Sequence, residues 1–394
     1  LHRQIQSMLN RIKSSSAFLR QYGTSGGLMC LEASGDLPVK NFNHGHFPNG
    51  EKLTGELLAE KYLTSRFACG SCPIGCGREI EVESPKYGNV KGAGPEYETL
   101  ASLGSYCMVD DLEAICRGNE RCNRYGMDTI SVGAAIAFAM EAYESGIINQ
   151  NDTQGISLKW GNASAMLDMV EQIGDGKGLG KILGLGVKKA AEIIGRDSEK
   201  FSLHIKGLEL PGHDPRAYFS QALSYATSNR GACHLAGFCH GLESSLTLPD
   251  LNIHKPLYRF SESGKAAMVI SMQNLMGMFD SLKTCKFLMY CEITPLDLVM
   301  CIELVTGRTI NLEQFMLSGE RISQIKRMIN NRFGITGLDD DLPDRIKTPL
   351  QDGGTKGHAP DIKQMLNKYY KLRGWSDSGR VSDKRLKKIG LDPY

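Results

Sequence analysis

Three cysteines lie close together in the stretch ACGSCPIGCGREIEVE, which runs from residue 68 to residue 83. They are Cys69, Cys72 and Cys76, in C-x2-C-x3-C spacing. Zinc sites usually combine two C-x2-C pairs, or one pair with two histidines, and the sequence has no second C-x2-C pair. Three neighbouring thiolates can instead hold one corner of a [4Fe–4S] cluster, with a fourth thiolate from elsewhere. The spacing favours the cluster; a zinc site or buried core thiols stay open.

The composition excludes several functional classes. The chain has 394 residues, of which 41% are hydrophobic and 23% charged, with a formal net charge of +2. This balance indicates neither an acidic tail nor a nucleic-acid-binding surface. The longest apolar run, at 132–140, is about half of the roughly 20 residues that a membrane-spanning helix needs. The amphipathic first residues contain no apolar signal core, so we expect a cytoplasmic protein with reduced thiols.

Helical periodicity dominates the sequence. A Thr-Pro-x-Asp start at Thr294 and an Asn-x-x-Gln start at Asn311 are typical helix caps, and Gly374 is typical of a helix end. Only 78–83 and 201–210 alternate as strands do. We therefore predict a mostly α protein. Among its helices we expect three in the first half of the chain, at 108–126, 129–146 and 179–194.

The sequence also suggests where the chain divides. The stretch LELPGHDPRAYF, at 208–219, concentrates loop-forming residues between two helical parts. We predict a helical domain at 1–205, which carries the three clustered cysteines, and a second helical domain at 206–394.

Longer stretches around these motifs resemble the tungsten-containing aldehyde:ferredoxin oxidoreductase family. The resemblance covers nearly the whole chain in the family's order. It runs through QYGTSGGL, VKNFNHGHF, GAGPEYETLASLGSYC, ELPGHDPRAYFSQALSYATSNRGACHL, FDSLKTCKF and YYKLRGW. It implies a tungsten (or molybdenum) bis-pterin cofactor beside one [4Fe–4S] cluster. The family's N-terminal β-rich pterin-binding domain is not matched, so we expect the chain to hold the family's two helical domains packed together.

The resemblance also implies the fourth cluster ligand. This is Cys285, in DSLKTC, and the cluster would lie near the interface between the two domains. From the sequence around it alone, Cys285 is equally compatible with a buried core thiol.

The family contacts its pterins through two D-x-x-G-x-(C/D) segments at helix ends. In this chain the first segment reads NRYGMD and the second DSLKTC. Each departs from the pattern at one position, with an uncharged Asn in place of Asp and a Lys in place of Gly. The implied cofactor-binding residues are Asn123, Gly126, Asp128, Asp280, Lys283 and Thr284.

The resemblance implies acid–base residues near the metal. Glu96 and Glu98 come from the G-P-E-Y-E stretch, and His234 comes from RGACHL. A carboxylate in a closed pocket has a raised pKa, which suits it to take a proton from water. Without the resemblance, the two glutamates would be a solvated helix start and His234 a core histidine.

A subgroup of the family reduces aryl-CoA thioesters, and three further residues match its needs. Cys107 would be a thiolate on the metal, and His44 and His46 would donate protons. Cys107 is also compatible with plain packing at a helix start.

The function that the resemblance implies is oxidation of aldehydes to carboxylic acids, with electrons passed through the cluster to ferredoxin. Electron-transfer subunits, or a polypeptide carrying the β-domain, are further implied partners, and a homodimer stays open. The alternatives are an aryl-CoA reductase subunit of the benzoyl-CoA type and a non-catalytic iron–sulfur electron-transfer or assembly module.

Overall fold

A computed structural model describes residues 2–392 and divides the chain into two compact helical units. The N-terminal unit consists of Ala17–Ala217 and Pro343–His358. The C-terminal unit consists of Leu1–Ser16, Tyr218–Leu342 and Ala359–Tyr394. The predicted mostly α fold is confirmed, while the predicted domain limits at 205 and 206 stay a prediction about the family's domains.

The helices follow one another along the chain, with short turns of other helix types between some of them. Their bounds are α1 His2–Ser15, α2 Ala17–Tyr22, α3 Leu28–Ser34, α4 Gly55–Tyr62, α5 Tyr97–Thr99, α6 Leu112–Tyr125, α7 Thr129–Glu144, α8 Ala163–Asp175, α9 Gly180–Leu183, α10 Val187–Ile194, α11 Phe219–Thr227, α12 His234–Gly237, α13 Lys265–Leu282, α14 Pro295–Thr306, α15 Leu312–Arg332, α16 Ile362–Arg373 and α17 Asp383–Lys388.

A small antiparallel sheet in the N-terminal unit carries the clustered cysteines. Its order is β1 (Leu63–Phe67), β2 (Gly77–Val82) and β3 (Val90–Ala93). Only β2 was predicted, because it alone alternates buried and exposed side chains over most of its length. The predicted strand at 201–210 is instead a short hairpin of β4 (His204–Ile205) and β5 (Leu208–Glu209). The residues between these strands, Lys206 and Gly207, both have positive φ, as two-residue hairpin turns require.

The core of the N-terminal unit is built around α7, whose apolar run is buried as predicted. The side chain of Asp128 accepts a hydrogen bond from the Ile130 N–H and so caps the start of α7. Gly133 of α7 packs directly against the backbone of Ser102. A Cβ at this position would overlap that backbone, so only glycine fits. The predicted single helix at 179–194 is wrong. It is broken into α9 and α10 at Gly186, whose φ of 86° no helix accommodates.

A segment from late in the sequence completes the N-terminal unit. We call Pro343–His358 the returning segment. Its Arg345 makes an ion pair with Glu141 of α7 at 2.5 Å and donates to the Asn41 carbonyl at 2.7 Å. Asp352 accepts a hydrogen bond from the Gly45 N–H at 2.8 Å. These bonds tie the returning segment to the first half of the chain.

The C-terminal unit is organised by the long helices α13 and α15. Both predicted caps are confirmed: Thr294 begins α14 and Asn311 begins α15, each with a complete capping box. The first helix, α1, belongs to this unit, since Arg11 donates to Asp297 at 2.7 Å. Within residues 2–392, no helix is both long enough and apolar enough to cross a lipid bilayer.

The crossing of α13 and α15 yields a stability prediction. A methyl group at Gly319 would overlap the Asn274 carbonyl, whereas one at Gly277 meets nothing closer than 3.6 Å. We expect Gly319→Ala to lower the free energy of unfolding by about 3 kcal/mol through overpacking. Gly277→Ala is the matched control, and it should be neutral or stabilising because alanine favours helix. Thermal melts of the two variants measure this, and equal melting temperatures would refute the tight crossing.

Candidate functional site

Glu98 lies at the start of a helical segment whose helix type changes twice, from α to π and then to 3-10. It belongs to α5, which continues as a π-helical turn at Leu100–Gly104 and a 3-10 turn at Ser105–Cys107. Such π turns within helices occur often at functional sites. The five residues of the π turn are all buried, so this segment is held rigidly in the N-terminal unit.

Two consecutive side chains of α5 hold Gly212 of the 208–219 loop, one through its N–H and one through its carbonyl. The Gly212 N–H donates to the Glu98 carboxylate at 2.6 Å, and the Tyr97 hydroxyl donates to the Gly212 carbonyl at 2.5 Å. A Cβ at Gly212 would lie 2.9 Å from Glu98 Oε2, so a glycine is required at this position. The carboxylate is therefore fixed by a backbone contact as well as by burial.

His213 connects Glu98 to a second buried carboxylate. Its Nδ1 lies 2.6 Å from Asp36 Oδ2, and its Nε2 lies 3.7 Å from Glu98 Oε1. Asp36 is fully buried, and the Tyr97 ring packs on the imidazole with centroids 5.1 Å apart. We call Asp36, His213 and Glu98 the buried acid–base row.

Burial and mutual charge shift the pKa values of this row. Removal from water raises the pKa of Glu98, and the charges of Asp36 and Asp128 add to that, against the opposing effects of His213 and the Gly212 N–H. Burial alone would lower the pKa of His213, but the charge and hydrogen bond of Asp36, with the charge of Glu98, outweigh it and raise this pKa. The row can therefore hold a proton at more than one atom.

Glu96 has different surroundings from Glu98. Its side chain is about half exposed, at 49%, and it accepts a hydrogen bond from the Thr24 hydroxyl. The buried guanidinium of Arg78 lies 3.2 Å from it and also donates to the Pro95 carbonyl at 3.0 Å. Glu96 thus serves as an anchor between the 23–25 turn and β2.

The three clustered cysteines lie on the loop that connects β1 to β2. The Cys72 N–H donates to the Cys69 carbonyl at 2.9 Å, which closes a turn through the two ligand positions. Arg20 donates to the carbonyls of Pro73 and Ile74, at 2.6 and 3.1 Å. The fully buried Ile74 side chain anchors the loop from inside.

This loop fits a metal cluster better than it fits core packing. Cys69 is exposed and Cys72 and Cys76 are half-buried, so the buried-thiol alternative is not what the loop presents. Ser71 and Gly75 adopt positive φ, so the backbone curls around the three cysteines. A curled loop that presents thiols outside the core is the donor set that an iron–sulfur cluster requires.

The first predicted pterin segment is a helix-to-helix turn, as expected from its sequence. Asn123 lies in the last turn of α6, Gly126 ends that helix with a φ of 69°, and Asp128 begins α7. The side chains of Asn123 and Asp128 are exposed. The segment therefore offers polar groups at its surface, and its role with a pterin stays a prediction.

The residues matched to the aryl-CoA subgroup differ in their surroundings. Cys107 is fully buried, and its thiol donates to the carbonyls of Ser102 and Gly133 at 3.5 and 3.7 Å. Burial raises the pKa of this thiol far above its usual range, which opposes a thiolate. His44 and His46 are exposed, and His46 Nδ1 lies 2.6 Å from Glu32. The packing role that the sequence left open for Cys107 is the one that its burial favours.

In the C-terminal unit, the second predicted pterin segment spans the end of α13. Asp280 is exposed in the last helical turn, and Lys286 lies 3.0 Å from it. Lys283 ends the helix with a φ of 54°, the left-handed conformation for which glycine is the natural choice. The lysine therefore adopts the left-handed conformation that a glycine at this position adopts readily. Cys285 follows it, exposed, at the start of a 3-10 turn.

A cavity of about 610 Å³ opens beside this turn, within the C-terminal unit. Asp280, Thr284 and Cys285 border it on one side, and Arg230 and Lys326 contribute two positive charges. In the described part of the chain, neither of these cations makes an ion pair. Apolar side chains such as those of Leu235, Phe287 and Ile322 supply much of the remaining wall. The half-buried His234 starts α12, between two residues that line the cavity.

Several residues of the site were missed from the sequence. Asp36, His213 and Arg78 were not singled out, although His213 lies in the quoted PGHDPR loop. A histidine and an aspartate far apart in sequence give no local signal of contact. Of the cavity cations, Arg230 lies in the turn between α11 and α12 and Lys326 lies in α15, so their proximity was equally undetectable.

The family of the chain follows from comparison with known proteins. A family model described as aldehyde ferredoxin oxidoreductase, domains 2 and 3, matches residues 1–391. The chain belongs to this family.

Three individual proteins illustrate the range of the similarity. The chain is 33% identical to the tungsten-containing aldehyde ferredoxin oxidoreductase of Pyrococcus furiosus, over 99% of this chain and 64% of that protein. It is 27% identical to an aliphatic sulfonate oxidoreductase, WOR-like subunit, of the same organism, over 96% of this chain and 58% of that protein. The active-site complex of a benzoyl coenzyme A reductase, solved with 1,5-dienoyl-CoA, shares the fold. Its TM-score is 0.71 at 20% identity, over 91% of this chain and 58% of that one. The chain thus spans less than two thirds of the length of these relatives.

The raised pKa of Glu98 predicts how stability depends on pH. A carboxyl group whose pKa is raised on folding stabilises the protein below its ordinary pKa of 4.5 and loses that contribution as the pH rises through the folded value. We expect Glu98→Gln to become progressively more stable relative to the wild type between pH 5 and pH 8. Urea unfolding across this range measures it. The exposed Glu60→Gln is the control, and a pH-independent difference for Glu98→Gln would contradict the burial argument.

Proposed function

We propose that the chain is the cluster- and pterin-binding portion of a tungsten (or molybdenum) oxidoreductase that oxidises aldehydes to carboxylic acids. The single observation that carries the proposal is Glu98, a half-buried residue whose carboxylate accepts a hydrogen bond from the Gly212 N–H at 2.6 Å, in a chain of this family. The raised pKa of this carboxyl suits a general base that acts near neutral pH.

The chain's own cysteines and helix ends supply the places for the cofactors. Cys69, Cys72 and Cys76 are the proposed ligands of a [4Fe–4S] cluster, with Cys285 as the fourth. Exposed polar groups at the two helix ends, among them Asp128 and Asp280, are the proposed contacts of the pterins. When bound, the metal and the cluster accept the two electrons of the aldehyde and pass them on singly.

The cavity of the C-terminal unit is the proposed binding place for the part of the pterin cofactor that lies nearest Asp280. Arg230 and Lys326 stand at its border without carboxylate partners in the described residues, so they would favour an anionic group such as a pterin phosphate. The apolar wall beside them would exclude water from the bound ligand. Lys283, in the same turn as Asp280, adds a third positive charge nearby.

Within this function, Glu98 takes a proton from the water or hydrated aldehyde that reacts. His234 is the proposed second acid–base residue, matched by sequence to the family's histidine. Ferredoxin is the proposed electron acceptor. A polypeptide that carries the pterin-binding β-domain, a homodimer and a cytoplasmic location stay predictions.

Reduction of an aryl-CoA thioester is the less favoured function. That function assigns the thiolate of Cys107 to the metal, but this thiol is fully buried and donates to two backbone carbonyls. The fold shared with a benzoyl coenzyme A reductase does not decide the substrate. A non-catalytic electron-transfer module would use the cysteines but leave Glu98 without a catalytic role.

The cluster assignment predicts the iron content of the chain. Purified without oxygen, it should contain about four iron atoms per chain, with an EPR signal after reduction. Replacing any one of Cys69, Cys72, Cys76 or Cys285 by serine should lower the iron content and the signal. Cys30→Ser, at an exposed cysteine outside the motif, is the matched control. One zinc and no iron would exclude the cluster, and full iron in Cys285→Ser would exclude that ligand.

The catalytic assignment predicts the effect of losing the Glu98 carboxylate. In the enzyme loaded with metal and pterin, aldehyde-dependent viologen reduction should fall about 10²- to 10⁴-fold in Glu98→Gln. Glu60→Gln, on the exposed face of α4, should keep the wild-type rate. Activity with an aryl-CoA and reduced viologen, in the absence of any with aldehydes, would instead support the reductase function. That function also predicts a large loss in Cys107→Ser.

A further inference from the structure

Asp36 is a buried carboxylate whose surroundings are built for one partner. Its N–H donates to the Leu31 carbonyl, and its own carbonyl accepts from the Asp214 N–H, both at 2.8 Å. Its Oδ2 meets His213 Nδ1 at 2.6 Å, while Oδ1 has no hydrogen-bond partner among the described residues. Burying a carboxylate is costly unless it is paired. His213 is therefore the group that offsets the charge of Asp36.

The geometry fixes the role of each imidazole nitrogen. A carboxylate only accepts hydrogen bonds, so the short contact with Asp36 assigns the proton of neutral His213 to Nδ1. Nε2 is then the basic nitrogen, and it faces Glu98 Oε1 at 3.7 Å. This distance exceeds a hydrogen bond, but contacts used in catalysis are often long before the substrate binds.

We propose that Asp36 and His213 form a proton relay behind Glu98, in which His213 takes over the proton that Glu98 has removed from the reacting water. The inference rests on the proposed function, since it deepens the role of Glu98. The O–H bond of the Glu98 carboxylic acid breaks and an N–H bond forms at His213 Nε2. The products are a Glu98 carboxylate and an imidazolium whose charge Asp36 balances. No electrons move in this step.

The surroundings raise the pKa of both proton acceptors. Ordinarily a histidine binds a proton more tightly than a glutamate by about two pKa units. Burial raises the pKa of Glu98, and the charge and hydrogen bond of Asp36, with the charge of Glu98, outweigh burial and raise the pKa of His213. Within the N-terminal unit, the titratable groups that act on this pair are Asp36, Asp128 and the Tyr97 ring packed on His213. Transfer of the proton from Glu98 to His213, ordinarily the stronger base, restores the Glu98 carboxylate after each turnover.

A purely structural role of His213 would not explain its position. Gly212 is already held by Tyr97 and Glu98, so the loop does not need His213 to stay in place. A packing histidine also has no reason to aim its basic nitrogen at a second carboxylate. His213 and Asp36 are therefore positioning residues that act through Glu98.

The test uses the histidine ring signals of the full chain in solution. The chain contains nine histidines, and the signals lost in His213→Gln identify those of His213. Nitrogen-15 NMR across pH 5 to 9 gives its pKa and its tautomer without any bound cofactor. We expect the Nδ1–H tautomer and a pKa above 6.5, the ordinary value for this side chain.

Variants then test whether Asp36 and Glu98 change the protonation of His213. Asp36→Asn should lower the pKa of His213 and lose the Nδ1–H preference. Glu98→Gln should lower the pKa but keep the tautomer, and it decides the question alone if Asp36→Asn does not fold. Glu60→Gln should leave both unchanged. An Nε2–H tautomer in the wild type, or a pKa that does not respond to Glu98→Gln, would overturn the relay.

Activity of the loaded enzyme separates the relay from the function itself. His213→Gln should lower kcat for the aldehyde about 10²-fold and shift the pH profile, with KM nearly unchanged. Unchanged kcat and pH profile in His213→Gln would overturn the relay while leaving the function intact. Absence of aldehyde oxidation in the wild type would overturn the function, and the NMR result would still decide whether the three groups are coupled.

Discussion

The burial of the Glu98 carboxylate is the constraint on which the rest of the site depends. A carboxylate removed from water must be compensated nearby, and here the compensation comes from two neighbouring residues, Gly212 and His213, of a distant loop. Tyr97 holds the same loop through the Gly212 carbonyl. Both side chains belong to α5, immediately before the π turn.

Much of the helical architecture could be predicted because its signals are local. The caps at Thr294 and Asn311 lie within four residues of the backbone groups that they satisfy. The strand β1 gave no such signal, since most of its side chains are exposed and do not alternate. The break between α9 and α10 was missed because the apolar periodicity continues across Gly186. The returning segment was unpredictable for another reason, namely that its partners are hundreds of positions away.

The site residues also fall into those that have a local sequence signal and those that only the fold brings together. The clustered cysteines and Glu98 were found from residue type, spacing and resemblance to a family. Asp36 and His213 were not, because 177 positions separate them and only the folded backbone brings them to 2.6 Å. Cys107 shows the opposite case, in which the sequence suggested a chemical role that the burial of the residue does not favour. Its type suggested chemistry, whereas its complete burial against two carbonyls favours a packing role. Lys283 adopts the left-handed conformation that favours glycine, which its residue type did not indicate.

The returning segment has a consequence for biosynthesis. Arg345 joins a partner 204 positions earlier in the chain, and Asp352 joins one 307 positions earlier. On the ribosome, the N-terminal unit therefore cannot form its last native bonds until the returning segment has been synthesised. The cysteine loop between β1 and β2 is made long before that point, so it emerges while the unit that carries it is still incomplete.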